Sequence, residues 1–166
     1  MWLQSVHTFC AWLQDTGFST SIRESAWLFP IIETTHVIAL AASVGIIVIV
    51  DLRLIGLGLS RDPASTVSDQ LLPWALGGFV TMFVTGILLF CSMPMKCYDS
   101  VFFRIKMVLL IFAGLNALIF QVTIYRSMNT WETATVPPFR ARLAGGLSLM
   151  LWAAIIAAGR MMAYKF

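Results

Sequence analysis

The stretch that decides the fold is VIALAASVGIIVIV at residues 37–50, in which Ser43 is the only polar side chain. A hydrocarbon core about 30 Å thick needs about 20 apolar residues in a helix, and this run reaches that length when it is extended to 27–50. Because a backbone in lipid must satisfy its own hydrogen bonds, a single apolar run of this length can only be helical. We therefore predict a transmembrane helix over 27–50, despite its many β-branched residues.

Three further apolar runs have the length of a transmembrane helix. They cover residues 72–93, 102–124 and 143–163. We place Pro73 in the first turn of the second helix, where its missing N–H costs nothing. Four spans predict an all-α fold, an integral membrane four-helix bundle over residues 17–166, with both termini on one side of the membrane.

The composition agrees with membrane insertion and excludes an ordinary soluble domain. Of the 166 residues, 59% are hydrophobic and only 11% are charged, whereas soluble domains carry roughly 25% charged residues. The mean hydropathy is +0.86. The net charge is +3, but the cations flank the apolar runs, where they anchor to lipid headgroups. We therefore predict the lipid bilayer as a partner and no binding to nucleic acid.

Residues 1–16 have a different pattern, with apolar residues at helical spacing and polar residues on the rest of the helical wheel. This pattern is typical of an amphipathic helix that lies in the membrane interface. We predict a short interfacial helix here, with a loosely ordered tail as the alternative. The apolar positions are Trp2, Val6, Phe9 and Leu13.

Ionisable side chains at membrane depth are costly, so each one is a candidate functional residue. Glu33 and His36 are three residues apart and share a helix face. Ser43 and Asp51 follow on the same stripe at about 100° per residue, so we expect one polar edge of the first span to face the bundle interior. His36 lies about 13 Å into the span at about 1.5 Å per residue. An imidazole there suits a haem ligand, a metal ligand, a proton relay or a hydrogen-bonded core residue.

The four-span topology places Arg104, Lys106 and Arg160 near the membrane level of Glu33. We predict that Arg160 neutralises Glu33 in a buried pair, so that Glu33, His36 and Arg160 form one inward site. A second polar cluster gathers at the opposite side of the membrane, and we interpret it as helix-end salt bridges and an interhelical asparagine hydrogen bond. Its members are Asp51, Arg53, Asn116, Gln121 and Arg126.

A second candidate metal site lies between Cys91 and Cys97. These two thiols and the thioethers of Met93 and Met95 are the soft donors that Cu(I) selects. Cys and Met are also ordinary apolar residues at the end of a span. Three cysteines in the chain do not make a disulfide framework, so the alternatives for Cys91 and Cys97 are free thiols, a disulfide or copper ligands.

Several phrases of the sequence resemble a bacterial family of short four-helix membrane proteins of unknown function. The resemblance covers the chain from about residue 21 to the end and implies the bacterial cytoplasmic (inner) membrane as its location. The phrases are WLFP at 27–30 with Glu33 and His36, DLRLIG at 51–56, FRIK at 103–106, AGLN at 113–116 and GRMMAY at 159–164.

That family is distantly similar to CopD-like copper-resistance membrane proteins and to b-type cytochrome bundles. The similarity implies haem b or copper as a cofactor. It also implies a histidine near the end of the third span, where this sequence has Phe120 and Gln121. With His36 as the only histidine within a span, the second axial position on a haem would fall to Met107, Met161, water or another subunit.

From these features we predict a membrane-embedded subunit or accessory protein, with other membrane subunits or further copies of the chain as partners. Haem b or metal binding linked to electron transfer is its expected chemistry. The alternatives are a non-catalytic subunit that anchors a larger membrane complex, and a transporter of copper or protons. The sequence contains no hydrolase, phosphate-binding or dinucleotide motif, which favours a chain that is not an enzyme by itself.

Overall fold

The structure, a computed structural model, describes residues 2–57, 64–126 and 137–164, and these residues form helices without any strand. Four of the helices are long and apolar enough to cross a membrane, which confirms the predicted all-α bundle. In chain order the helices are α1 (Trp2–Gln14), α2 (Gly17–Glu24), α3 (Leu28–Ile55), α4 (Ala64–Ser92), α5 (Pro94–Asp99), α6 (Val101–Ile119) and α7 (Phe139–Tyr164), and a π-helical turn (Phe120–Ile124) continues α6.

The ends of α3 are set by local hydrogen bonds. The backbone N–H of Leu28 donates to the Ser25 hydroxyl at 3.0 Å, which satisfies one of the free donors of the first turn. At the other end Gly56 has a φ of 89°, the left-handed conformation that glycine adopts without a steric cost. Its N–H donates to the carbonyl of Leu52 at 3.1 Å and thereby closes the helix.

The long helix α4 begins well before its apolar run, so Pro73 lies inside the helix. The prediction that Pro73 belongs to the first turn is therefore wrong. Hydropathy marks the part of a helix that lies in lipid, and the polar residues 65–70 continue the helix beyond that part. A proline is tolerated inside a membrane helix because neighbouring groups satisfy the carbonyl that it frees.

Three sides of the bundle are packed helix against helix, and one side is not. The backbones of α3 and α4, of α3 and α7, and of α6 and α7 approach closely, whereas those of α4 and α6, as far as the structure describes them, do not. We call this fourth side the α4–α6 seam. Phe90 of α4 stacks on Phe103 of α6 across it, with ring centroids 5.8 Å apart. Phe79 of α4 stacks on Trp152 of α7 at 5.3 Å in the bundle core.

The short helices α1, α2 and α5 cover one end of the bundle, which we call the capped end; the opposite end is the loop end. The guanidinium of Arg23 donates to the carbonyls of Gln14 and Ser92 at 3.5 Å each. It therefore places a cation at the end of α4, where the helix dipole is negative. The Gln14 side chain in turn accepts from the backbone N–H of Met95 at 3.3 Å.

A helix, α1, is present where the sequence predicts an interfacial helix, although it ends at Gln14 rather than at residue 16. A second helix, α2, follows it, and the sequence pattern did not indicate that helix. Phe9 and Trp12 of α1 are 53% and 62% exposed. Large apolar side chains on one face are what an interfacial helix presents to lipid.

Candidate functional site

His36 is half-buried where α3 meets α4. Its Nδ1 lies 2.9 Å from the hydroxyl of Thr85, and that hydroxyl donates its proton to the carbonyl of Thr81 at 2.7 Å. A hydroxyl has a single proton to donate, so the bond with His36 is one in which Nδ1–H donates to Thr85. The Nε2 atom then carries the lone pair and is free to bind a metal or accept a proton.

The backbone carbonyl of Met82 strengthens this assignment. It is a further acceptor near the imidazole of His36, and it lies 3.3 Å from the hydroxyl of Thr85. A carbonyl can only accept, so the ring presents an N–H to α4. Gly86 gives the ring its room, because a Cβ at that position would lie 3.4 Å from the His36 Cε1.

Lys106 of α6 is the residue of this site that the sequence did not identify. It is close enough to His36 to interact with it electrostatically. Its Nζ would lie 3.8 Å from a Cβ at Gly159 of α7, so the ammonium points into the bundle. No carboxylate in the part of the chain that the structure describes forms an ion pair with Lys106. The capped end therefore combines an imidazole acceptor with a neighbouring cation.

The predicted pair of Glu33 and Arg160 is not observed. Glu33 is exposed on the outside of α3. Arg160 donates to the Tyr164 hydroxyl at 2.8 Å and lies 4.8 Å above that ring. At about 100° per residue the helix makes about five full turns between Glu33 and Asp51, so both point the same way from α3, yet Asp51 is buried. The helices that pack beside α3 at each level, rather than its rotation, therefore leave Glu33 exposed.

The four candidate copper ligands lie on the end of α4, on α5 and on the turn between these helices. Cys91 belongs to the last turn of α4, Met93 precedes α5, and Met95 and Cys97 lie on α5. All three cysteines of the chain are free thiols. Among the described residues, no three His, Cys, Asp or Glu side chains converge as metal ligands do.

Cys97 is buried under α1 and is 5% exposed. Burial raises the pKa of this thiol to about 11, Lys106 and Lys96 lower it by less, and Cys10 raises it. Burial also raises the pKa of the Cys10 thiol. Because the thiolate is the form that binds metals, a metal ion at Cys97 would have to displace the proton of this thiol.

The side chains considered for a second axial position do not face His36. His7 is the only other histidine; it is exposed on α1 and contacts Tyr98 edge-on at 5.5 Å. Gln121 is exposed at the loop end, far from His36. Met107 and Met161 are 38% and 42% exposed, so both lie on outer faces of their helices.

A second polar site lies at the loop end. Asp51 is 5% exposed and is hydrogen-bonded to the Ser148 side chain of α7, while its Oδ2 has no partner. The amide of Asn116 donates to the carbonyl of Ala144 at 3.1 Å, which confirms the predicted interhelical asparagine bond. Arg53 is buried, whereas Gln121 and Arg126 are exposed.

The fold and its two sites define an integral membrane four-helix bundle with a buried polar group near each end of α3. Residues 26–165 match DUF6644, a family of unknown function, and the chain belongs to that family. No curated protein and no solved structure matches the chain. The helices α1 and α2 precede the matched region, so the family region contains the four spans and α5.

Proposed function

We propose that this chain is a membrane-embedded subunit or accessory protein of the bacterial cytoplasmic membrane, and that it binds haem b through His36. The observation that carries the proposal is the hydrogen bond from Nδ1 of His36 to Thr85. A histidine that ligates a metal donates its other ring N–H to a fixed acceptor, which sets the tautomer and the orientation of the ring. His36 has this arrangement, and Nε2 is the atom that would bind the iron.

The α4–α6 seam supports a flat apolar ligand. His36 bonds to Thr85 of α4 on one flank of the seam, and Lys106 of α6 on the other flank is close enough to interact with it electrostatically. The described backbones of α4 and α6 do not approach closely on this side, and the stack of Phe90 on Phe103 crosses it. A macrocycle that partitions into lipid would therefore reach His36 by displacing side chains and lipid, without unfolding a helix.

Lys106 favours haem over a bare metal ion. An ammonium near His36 repels a second cation, whereas the propionates of a haem are anionic and would accept from it. The neutral thiol of Cys97 also weakens a copper site made of Cys91, Met93, Met95 and Cys97. Bound haem would supply one-electron chemistry, for which Thr85 orients His36 and Lys106 balances charge.

The test is an absorption spectrum of the protein, purified in mild detergent with any co-purifying subunits, before and after reduction. We expect a Soret band that sharpens on reduction and is lost in His36→Ala, with helicity retained by circular dichroism. Thr85→Val should weaken haem affinity about 10- to 100-fold, because the ring loses its orienting acceptor. The matched control is Thr81→Val, whose hydroxyl bonds only to Gly77 of its own helix. A colourless intact assembly would contradict the proposal.

The second candidate is a non-catalytic anchoring subunit, and exposed Glu33 favours it. A carboxylate on the outer face of a membrane helix is costly unless it reaches the interface or finds a partner. A basic residue of a neighbouring subunit would supply that partner. Glu33→Gln should then reduce co-purification of the assembly, whereas Glu24→Gln, exposed on α2 outside the spans, should not. Equal recovery of both variants would contradict the anchoring role of Glu33.

A further inference from the structure

Asp51 is the one buried carboxyl group in the part of the chain that the structure describes. Its side chain is 5% exposed. The Ser148 side chain bonds to it, and since Oδ2 has no partner, that bond is to Oδ1. The remaining described carboxyl groups are all exposed: Asp15, Glu24, Glu33, Asp69 and Asp99.

Among the described residues, burial and the Ser148 hydrogen bond are what act on this carboxyl group. Arg53 lies two residues further along α3, about 200° round the helix at about 100° per residue, and therefore extends from a different face. Asp69 of α4 accepts from the Tyr125 hydroxyl. The described charged groups on the neighbouring elements at the loop end are exposed: Asp69, Arg126, Arg140 and Arg142.

Close packing keeps water away from Asp51. A Cβ at Gly145 of α7 would lie 3.0 Å from the backbone oxygen of Asp51 and 3.2 Å from the Cβ of Leu54. Val50, Leu54 and Ala141 form a buried apolar cluster at the same level. An ionised carboxylate that is neither paired nor hydrated is costly, and such a group takes up a proton instead.

We propose that Asp51 is a proton-binding site, with its proton on Oδ2 at neutral pH. The Ser148 hydroxyl donates to Oδ1, and the Oδ2–H group is the donor without a partner inside the bundle. The site lies on the same edge of α3 as His36 but at the loop end. It gives the bundle a reversible proton store that does not depend on haem.

Infrared spectroscopy of the protein in liposomes at pH 7 tests this proposal. We expect the carbonyl stretch of a protonated carboxylic acid, which is lost in Asp51→Asn and shifts in Ser148→Ala because one hydrogen bond disappears. Asp69→Asn, at an exposed position, should leave the band unchanged. The same band should be present in His36→Ala, which separates the result from the haem proposal.

Two infrared results would overturn the proposal that Asp51 is protonated. If Asp51→Asn removes a carboxylate band at pH 7 and no acid band is present in the unmodified chain, Asp51 is ionised. If Asp51→Asn does not fold, Ser148→Ala carries the test, because it leaves the carboxyl group in place. An acid band that is absent, or that does not shift in Ser148→Ala, would then refute the assignment.

Discussion

The two ends of α3 hold their polar groups in opposite ways. At the capped end, His36 has its N–H satisfied by α4, keeps Nε2 free and borders a side of the bundle where no helix backbones meet. At the loop end, Asp51 lies in a tight contact of α3 with α7 and keeps an unpartnered oxygen. One edge of one helix can therefore offer one polar group to a ligand and seal another from solvent. The two polar groups differ in burial and in access, because His36 is half-buried and Asp51 is 5% exposed.

The largest effect is expected for Cys97, which tests how well α1 closes the capped end. A thiol with a pKa of about 11 rather than 9.0 has about a hundredfold less thiolate at pH 8. Maleimide labelling of a variant that keeps only Cys97 should therefore be slow at pH 8, and its rate should rise roughly tenfold per pH unit up to about pH 10. The same variant in denaturing detergent is the control. Fast labelling of the folded protein at pH 8 would show that the capped end is open.

Two adjacent glycines of α7 test how tightly α3 and α7 pack at the loop end. Gly145→Ala forces a Cβ against Asp51 and Leu54 and should cost about 1–3 kcal/mol, the usual effect of overpacking. Gly146→Ala is the matched control, because nothing lies within 4 Å of its added Cβ; alanine there should stabilise the helix by up to about 1 kcal/mol. Thermal unfolding in detergent measures both. Equal stabilities would mean that the contact of α3 with α7 is loose.

The smallest effect concerns the outer face of the capped end. Arg160 bonds to Tyr164 and not to Glu33, so the stability losses of Glu33→Gln and Arg160→Met should add within about 0.5 kcal/mol in the double variant. Unfolding of the three variants and the parent chain gives the coupling directly. A double variant more stable than that sum would show that the two residues interact in the membrane.

The spans and the inward stripe could be predicted from the sequence, because both depend on one helix at a time. A twenty-residue apolar run allows one structure in lipid, and the positions of His36, Ser43 and Asp51 share a face whatever surrounds them. Ser43 and Asp51 are indeed buried. Glu33 was assigned to the same face, but it is exposed. Whether a position on that face is buried depends on which helices pack beside it at that level, which the sequence of one helix does not show.

The role of Lys106 could not be predicted, because it depends on how α6 is rotated about its axis. Apolar side chains cover α6 on nearly all sides, so the sequence carries no stripe that fixes this rotation. Pro94 shows a similar limit. The predicted span over 72–93 ends just before Pro94, and α4 does end there, at Ser92. Pro94 also opens the short helix α5, as prolines at a first helical position do.

Because the described backbones of α4 and α6 do not meet, the α3–α4 and α6–α7 hairpins are joined by backbone packing only where α3 meets α7. Moving the two hairpins apart at the α4–α6 seam would replace the stack of Phe90 on Phe103 with lipid chains. No backbone hydrogen bond would break, because each helix satisfies its own. Gly145 packs on Asp51 where α3 meets α7 at the loop end, and the short helix α5 ties α4 to α6 at the capped end, so the two hairpins are held together at both ends of the bundle.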